Sequence, residues 1–454
     1  MKRLSRAAGA AAFVASAALL AGCAGVGTGA SSSSGTLPKL DPDQKAQIVF
    51  ESYNLLQAGV WTDTVNQLVD EFEAKHPNIT VKAQGTQGAA TAGQNTVGSV
   101  QTQLLAGNPP DVAQITFDGL DYIVNEVGAQ PIEKLVGRDA IDEHFGGEYP
   151  FDARARVLAD WDGITYGLPY VFSTPVLFYN ATALEAAGFG PDVDLSTWEK
   201  VKDVAKAVTA KTGKPAISTE CVGGKQSSWC FQAIVRSAGG RVLSENRKDF
   251  EIADGGALTA VTMLRDLSDE GLLLNADLNG GVEAFQRGDS VFSLMSSAAT
   301  PYFAPAAKAG GWTLASAELP GFDGRESVPT QSGSALFMFS TDPVKQAAAW
   351  EFMKWMTSPR AYEVITSNFG YLPLRPTLTD EGGPLHDWLE KNPLMAPNLE
   401  QLGRLEPWVS YPGKSYVQIN DILTSAVDDA VFYGKDPAVT LRKAQERAQA
   451  MIDE

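Results

Sequence analysis

The sequence is short of the residues that carry most protein chemistry. Among 454 residues there are three histidines and three cysteines. His76, His144 and His386 lie far apart, and none falls at a metal-ligating spacing. There is no G-x-S-x-G elbow, no Walker A loop, no C-x-x-C pair and no G-x-G-x-x-G after a strand. An enzymatic reading has no motif behind it, although carboxylates are plentiful enough for a glycosidase-type acid pair. Positive charge is also scarce: Lys+Arg 36 against Asp+Glu 54, a net of −18. So acidic a chain disfavours nucleic acid and anionic lipid surfaces as partners. Beyond Leu20 no apolar run is long enough for a transmembrane helix.

What is present begins at the front. Lys2, Arg3 and Arg6 form a basic region before the short apolar stretch Ala7 to Leu20. That pattern reads as an export signal rather than a membrane span. Its end, Leu20-Ala21-Gly22-Cys23, resembles a bacterial lipobox. Residues 1–22 are therefore the expected leader, and Cys23 the expected site of lipid attachment (diacylglyceryl and palmitate) on the outer face of a cell membrane. Ala24 to Ser34 contains only Ala, Gly, Ser, Thr and one Val, which cannot build a core. A flexible tether is expected over 23–46. With Cys23 lipidated, Cys221 and Cys230 remain, and two cysteines in an exported chain are expected to pair.

The body alternates strand and helix. Ile48-Val49-Phe50 reads as a strand, and Val65, Leu68, Val69 and Phe72 recur on one helical face. Ile79 and Val81 alternate in a second strand, so a βαβ unit with a parallel sheet is expected. Gln101 to Ala106 predicts a helix, Asp111 to Phe117 a buried strand, and Val176 to Tyr179 another apolar run. Ser196-Thr197-Trp198-Glu199 reads as a capping box. Asp342-Pro343 and Asp436-Pro437 each place a cap before a helix-opening proline. His76, before Pro77, reads as a helix C-terminal cap.

Aromatics hint at a ligand. A sugar site wants flat rings for the C–H faces and small polar groups for the hydroxyls. Trp229, Trp408, Tyr411, Tyr416 and Tyr371 lie in Gly-, Ser- or Pro-containing stretches and are expected near the surface. Of these, Trp229 and Trp408 are assigned a binding role, whereas Trp350 and Trp355 read as core. Asp118 follows a strand and suits either a helix cap or a hydroxyl contact. Tyr53, after the first strand, completes this set.

Several segments look familiar when taken in order. They are Phe72-Glu73-Ala74-Lys75-His76-Pro77-Asn78-Ile79, Leu104-Leu105-Ala106-Gly107-Asn108-Pro109-Pro110-Asp111-Val112 and Tyr166-Gly167-Leu168-Pro169. Thr174-Pro175-Val176-Leu177-Phe178-Tyr179-Asn180, Ala284-Phe285-Gln286-Arg287-Gly288-Asp289 and Gly370-Tyr371-Leu372-Pro373-Leu374 follow. Over nearly all of Gln47 to Glu454 the chain resembles the extracellular solute-binding proteins of ABC importers, the class of maltose-binding protein. Ser173 to Asn180, Gly370 to Pro373 and the Ser296-Ser297 pair look most like the glycerol-3-phosphate-binding family. That likeness implies ligand contacts at Ser173, Trp229, Ser297, and Gly333 with Ser334. The family's phosphate-binding arginine falls at Gly413 or Lys414, and no arginine occurs from Glu406 to Thr440. Lys414 supplies charge without the bidentate fork, so a neutral sugar or polyol is expected over a phosphate.

The resemblance implies an α/β, two-domain periplasmic-binding-protein-like fold, with hinge crossings and an interdomain ligand cleft. The expected lobes are 47–174 plus 333–374, and 175–332 plus 375–454. Expected partners are a carbohydrate or polyol ligand, the importer's transmembrane subunits, and the membrane through the lipid on Cys23. No catalytic residue, cofactor, metal or nucleic acid is implied, and a monomer is expected. The alternatives are a binder of glycerol-3-phosphate or a glycerophosphodiester, and an exported lipoprotein enzyme acting on glycans.

Overall fold

The computed structural model describes residues 37–56, 59–86, 96–224, 228–322 and 324–452. The expected leader, Cys23 and the first part of the tether lie outside them. Eleven strands are described: β1 (Ala46–Glu51), β2 (Ile79–Gln84), β3 (Val112–Thr116), β4 (Asp160–Trp161), β5 (Ile164–Thr165), β6 (Gly167–Ser173), β7 (Pro175–Asn180), β8 (Ile217–Thr219), β9 (Phe292–Ser296), β10 (Leu314–Ala317) and β11 (Ser332–Met338). They build a five-stranded sheet, β2-β1-β3-β11-β6, a four-stranded sheet, β10-β7-β9-β8, and the small hairpin β4-β5. The fold is the two-domain, periplasmic-binding-protein-like one, with a sheet in each half.

The first βαβ unit forms as its periodicity predicts. Val65, Leu68, Val69 and Phe72 are all buried on the helix Val60–Lys75, which joins β1 to the parallel β2. His76 ends that helix and stacks on Phe72, ring centroids 4.5 Å apart. Burying each large apolar side chain of this face contributes roughly 1.5–3 kcal/mol. The sheets are mixed rather than wholly parallel. β11 runs antiparallel to β3 and β6, and β7 runs antiparallel to β9 and β10. The chain leaves the first sheet at Ser173 and re-enters at Ser332, from the same end it left, so the returning strand must run the other way.

Two helix starts follow their sequence signals, one with a shift. The Asp342 carboxylate accepts from the amides of Val344 (2.9 Å) and Lys345 (3.0 Å), capping the helix Pro343–Met356. In the expected capping box the cap is Thr197 rather than Ser196, with its hydroxyl accepting from the Lys200 amide. Ser196 instead donates to Asp194, 2.7 Å away. The expected tether is shorter than 23–46. The Leu37 amide donates to the Leu135 carbonyl at 3.0 Å, and Leu37 and Leu40 pack on the core. Two leucines among polar neighbours find apolar surface to cover, so the chain is fixed well before residue 47.

The halves are joined where strands change sheets. Thr174, between β6 and β7, is fully buried and donates to the Asn398 side chain at 2.7 Å. Gln401 donates to the Thr174 hydroxyl (2.8 Å) and to the Pro175 carbonyl (2.7 Å). A second crossing, Thr330 and Gln331, leads into β11. Thr330 donates to the Trp229 carbonyl at 2.6 Å, and Gln331 accepts from the Trp408 amide at 2.8 Å. No helix among the described residues is long and apolar enough to cross a membrane.

Candidate functional site

The carboxyl ends of β1, β3 and β6 lie along one edge of the first sheet. Those of β8 and β9 lie along one edge of the second. The two crossings hold these edges together, so the residues just past the strand ends share one cleft. Such edges collect ligands because backbone groups and short loop side chains converge there.

On the first edge, Ser52, Tyr53 and Asn54 follow β1 as a short 3-10 turn. The Tyr53 hydroxyl donates to Ser334 Oγ at 3.1 Å, and Gln114 Nε2 donates to the same oxygen at 2.9 Å. Ser52 Oγ donates to Gln114 Oε1 at 2.5 Å. Burial pushes the Tyr53 phenol up to about 12. Gly333, beside Ser334, sits at φ +124°, and a Cβ there would lie 2.0 Å from the Val171 carbonyl oxygen. Only glycine fits that close approach of β11 to β6.

Asp118 sits in a 3-10 turn immediately after β3. Its Oδ1 is buried and has no hydrogen-bond partner among the described residues. Burial raises its carboxyl to about 6, against the pull of Thr116 and the backbone N–H groups of Asp118 and Gly119. Burial raises the phenols of Tyr53, Tyr411 and Tyr416, and the negative charge of Asp118 adds to each. The cap positions of these short turns are held by Thr116 and Gly119, neither with a side-chain cap bond, while Asp118 itself accepts from the backbone N–H groups of Asp118 and Gly119.

On the second edge, Ser296 Oγ donates to Ser173 Oγ across the crossing at 2.7 Å. Ser297, next to it, is buried with a hydroxyl that has no partner. Glu220 follows β8, and its carboxylate accepts from the Ser296 amide at 2.5 Å. Burial raises Glu220 to about 7. A folded-state pKa above the ordinary carboxyl value contributes stability below the unfolded pKa, which is lost as pH rises through about 7. Glu220→Gln is therefore expected to raise the melting temperature at pH 8 by roughly 2–4 °C and to change nothing at pH 4. Calorimetric scans at both values check it.

The aromatic residues depart from the expected surface positions. Trp229, Trp408, Tyr411, Tyr416 and Tyr371 are all buried. Trp229 lies in the first turn of the helix Ser228–Ser237, not in a free loop. The indole of Trp408 donates to Ser228 Oγ at 3.1 Å, and Tyr411 bonds Ser228 and Gln232. Trp229 and Tyr416 lie at helix starts, and Trp408 and Tyr411 in the segment before Tyr416–Phe432, where packing against neighbouring elements buries each of them. Cys221 and Cys230 form a disulfide, tying the chain after Glu220 to that helix start. Lys414 is exposed, apart from these buried groups.

The structure thus joins Tyr53 to Ser334, Ser173 to the Ser296-Ser297 pair, and Trp229 to Trp408 through Ser228. It also shows residues that sequence reasoning missed. Glu51 Oε1 and Asn54 Nδ2 are buried without partners just past β1. Glu51 Oε2 accepts from Gln84 (3.0 Å) and Gln103 (2.5 Å). Trp61 reaches across to Tyr302, ring centroids 6.2 Å apart. The only signal for Glu51 and Glu220 was a carboxylate at the end of an apolar run. Among the described residues one other group, His386, Asp387 and Glu390, brings potential metal ligands together, on the short helix His386–Lys391.

Comparison with known proteins gives the same architecture. The lactose-binding protein of Rhizobium radiobacter is 24% identical over 295 residues, covering 63% of this chain and 65% of that one. The sn-glycerol-3-phosphate-binding periplasmic protein UgpB of Brucella abortus (strain 2308) is 25% identical over 313 residues, covering 64% and 68%. The chain therefore spans about two thirds of the length of these relatives. UgpB from Mycobacterium tuberculosis, solved with glycerophosphocholine, superposes with a TM-score of 0.77 at 19% identity, over 90% of this chain and 99% of that one. The cyclic alpha-maltosyl-1,6-maltose binding protein from Arthrobacter globiformis gives 0.74 at 17% identity, over 90% and 99%. At such identities the likeness establishes the fold. The family model for bacterial extracellular solute-binding proteins matches residues 67–397, and the chain belongs to that family.

Proposed function

We propose that this protein is the extracytoplasmic binding component of an ABC importer, and that it captures a neutral carbohydrate or polyol in the cleft. The observation that carries the reading is the chemistry of the two strand-end edges. Buried oxygens and an amide without partners gather there: Glu51 Oε1, Asn54 Nδ2, Asp118 Oδ1 and Ser297 Oγ. Hydroxyls donate to carboxylates and accept from amides, so a polyol answers each of these groups at once. Buried rings beside them offer faces for sugar C–H groups. A phosphate would meet carboxylates, while Arg247 is engaged with Asp121 and Lys414 is exposed. Tyr53, Asp118, Ser173, Trp229, Ser297, Gly333, Ser334 and Trp408 form the proposed contact set. Lys414 joins it only for a charged ligand.

Binding would shift an open–closed equilibrium, with the closed form presented to the importer's transmembrane subunits. The lipid on Cys23 would keep a monomeric body beside them. The UgpB relatives favour a second reading, a glycerophosphodiester. A thermal-shift screen of the mature protein against oligosaccharides, polyols, glycerol-3-phosphate and glycerophosphocholine tests both. At a hundredfold excess over Kd, mass action stabilises by about 2.7 kcal/mol. A shift with sugars supports the first reading. A shift with the phosphorylated compounds alone supports the second and overturns the first.

A further inference from the structure

One contact between the halves lies beside the strand ends and has the form of a fastening. Asp121, three residues past Asp118, belongs to the first half and is 4% exposed. Arg247 comes from the second half, in the turn between the helices Ser228–Ser237 and Gly255–Asp269. Its Nη2 donates to Asp121 Oδ2 at 3.0 Å, to the Ser410 carbonyl at 3.0 Å and to Ser410 Oγ at 3.2 Å. The guanidinium also lies over Trp161 of the first half, 5.1 Å from the ring centroid. Asp121 Oδ1 accepts from the Gly413 amide at 3.4 Å and from Asn125 Nδ2 at 3.1 Å. Beside them Tyr122 of the first half meets Tyr416 of the second, ring centroids 5.1 Å apart.

The backbone is shaped for this contact. Arg247 has φ +62°, a left-handed conformation that a residue with a side chain seldom adopts. A tight turn holds it there: the Arg247 amide donates to the Ser244 carbonyl, and Ser244 Oγ accepts from the amides of Lys248 and Asp249. The turn aims the guanidinium at the opposite half. Separating the halves would leave Asp121 without the charge that faces it. Arg247 would keep its Ser410 contacts, which are within its own half.

We propose that Arg247 and Asp121 are positioning residues that latch the closed form, setting its population without touching the ligand. Apparent affinity is the intrinsic affinity scaled by the fraction of competent form, so the pair would tune binding at a distance. The consequence for affinity rests on the proposed capture function. The latch itself is testable with no ligand present, so the two can fail separately.

Donor and acceptor dyes on Leu105→Cys and Val439→Cys, which are 83% and 52% exposed in the native chain and lie on opposite halves, report closure by single-molecule energy transfer. Without ligand, Asp121→Asn and Arg247→Gln are each expected to cut the closed fraction about fivefold. Salt at about 1 M should act the same way on the native pair and leave either variant unchanged. Arg247→Lys, which keeps the charge, should stay within about twofold of the native protein. The exchanged pair, Asp121→Arg with Arg247→Asp, should recover the closed state if either single variant folds poorly. A native protein with no closed population, or single variants that leave it unchanged, overturns the proposal. So does an exchanged pair as open as the singles.

Discussion

Replacing Asp118 by asparagine is expected to weaken ligand binding roughly a hundredfold and, in the same protein, to raise the melting temperature without ligand. The two effects have one cause. Asp118 carries a buried carboxylate oxygen that nothing among the described residues satisfies, and its carboxyl is raised to about 6 by burial. A folded-state pKa above the unfolded value means stability is fullest at acid pH and is lost as pH rises through about 6. At pH 8 the native protein carries the whole cost of the buried charge, and asparagine removes it. The gain should be roughly 2–4 °C at pH 8 and absent near pH 3. Binding moves the other way, because a charged acceptor for a ligand hydroxyl becomes a neutral one that presents an amide on one side. Titration calorimetry with the ligand found in the screen and scanning calorimetry without it measure the two halves. A fall in both affinity and melting temperature would show that Asp118 is structural. Groups held unsatisfied for a partner are where local stability rules are expected to break.

The second large effect is structural. Gly333→Ala is expected to destabilise the protein by about 3 kcal/mol or more. Alanine at φ +124° is strained, and its Cβ would lie 2.0 Å from the Val171 carbonyl oxygen and 2.8 Å from the carbon behind it. Backbone cannot move aside as a flexible side chain can, so β11 and β6 must part. They pair on either side of this point, Ser332 with Ser173 and Ser334 with Val171, next to the crossing that joins the halves. The urea midpoint should fall accordingly. A loss below about 1 kcal/mol would mean that β6 yields there.

Much of the fold was legible because its signals are local. The face Val65, Leu68, Val69 and Phe72 needs only a helical period, and Asp342 before Pro343 needs only the geometry of a first turn. The ordered segments from Phe72 to Leu374 named the family class, and the family model covers all of that span. What was not legible depends on residues distant in the chain. Tyr411 and Tyr416 sit among turn-forming residues, which usually means solvent. They are buried because Phe250 packs on Tyr411 and Tyr122 of the other half packs on Tyr416, and no local pattern reports either contact. Glu220 and Glu51 read as ordinary acids until the strand ends are brought together and one oxygen of Glu51 is left alone. Leu37 and Leu40 were grouped with a Gly-Ser stretch by proximity, although two leucines seldom stay in water when a core is within reach. Arg247 and Asp121 are 126 residues apart, and only the tertiary fold makes them neighbours.

The first sheet has an implication for how the chain is made. β11 is its inner strand, bonded to β3 on one side and β6 on the other. Every residue of the second sheet, from β7 to β10, is synthesised before β11 arrives. The first sheet, begun before the second, is therefore completed after it. A ribosome that has delivered β1 to β6 has delivered a sheet split down the middle, with two raw strand edges facing a gap. The second sheet can pair meanwhile, but its half still waits for the helices Tyr416–Phe432 and Pro437–Ile452, which pack on Gly255–Asp269. During export the unfinished half is the one that needs shielding from other chains, and truncation anywhere before Met338 leaves it open.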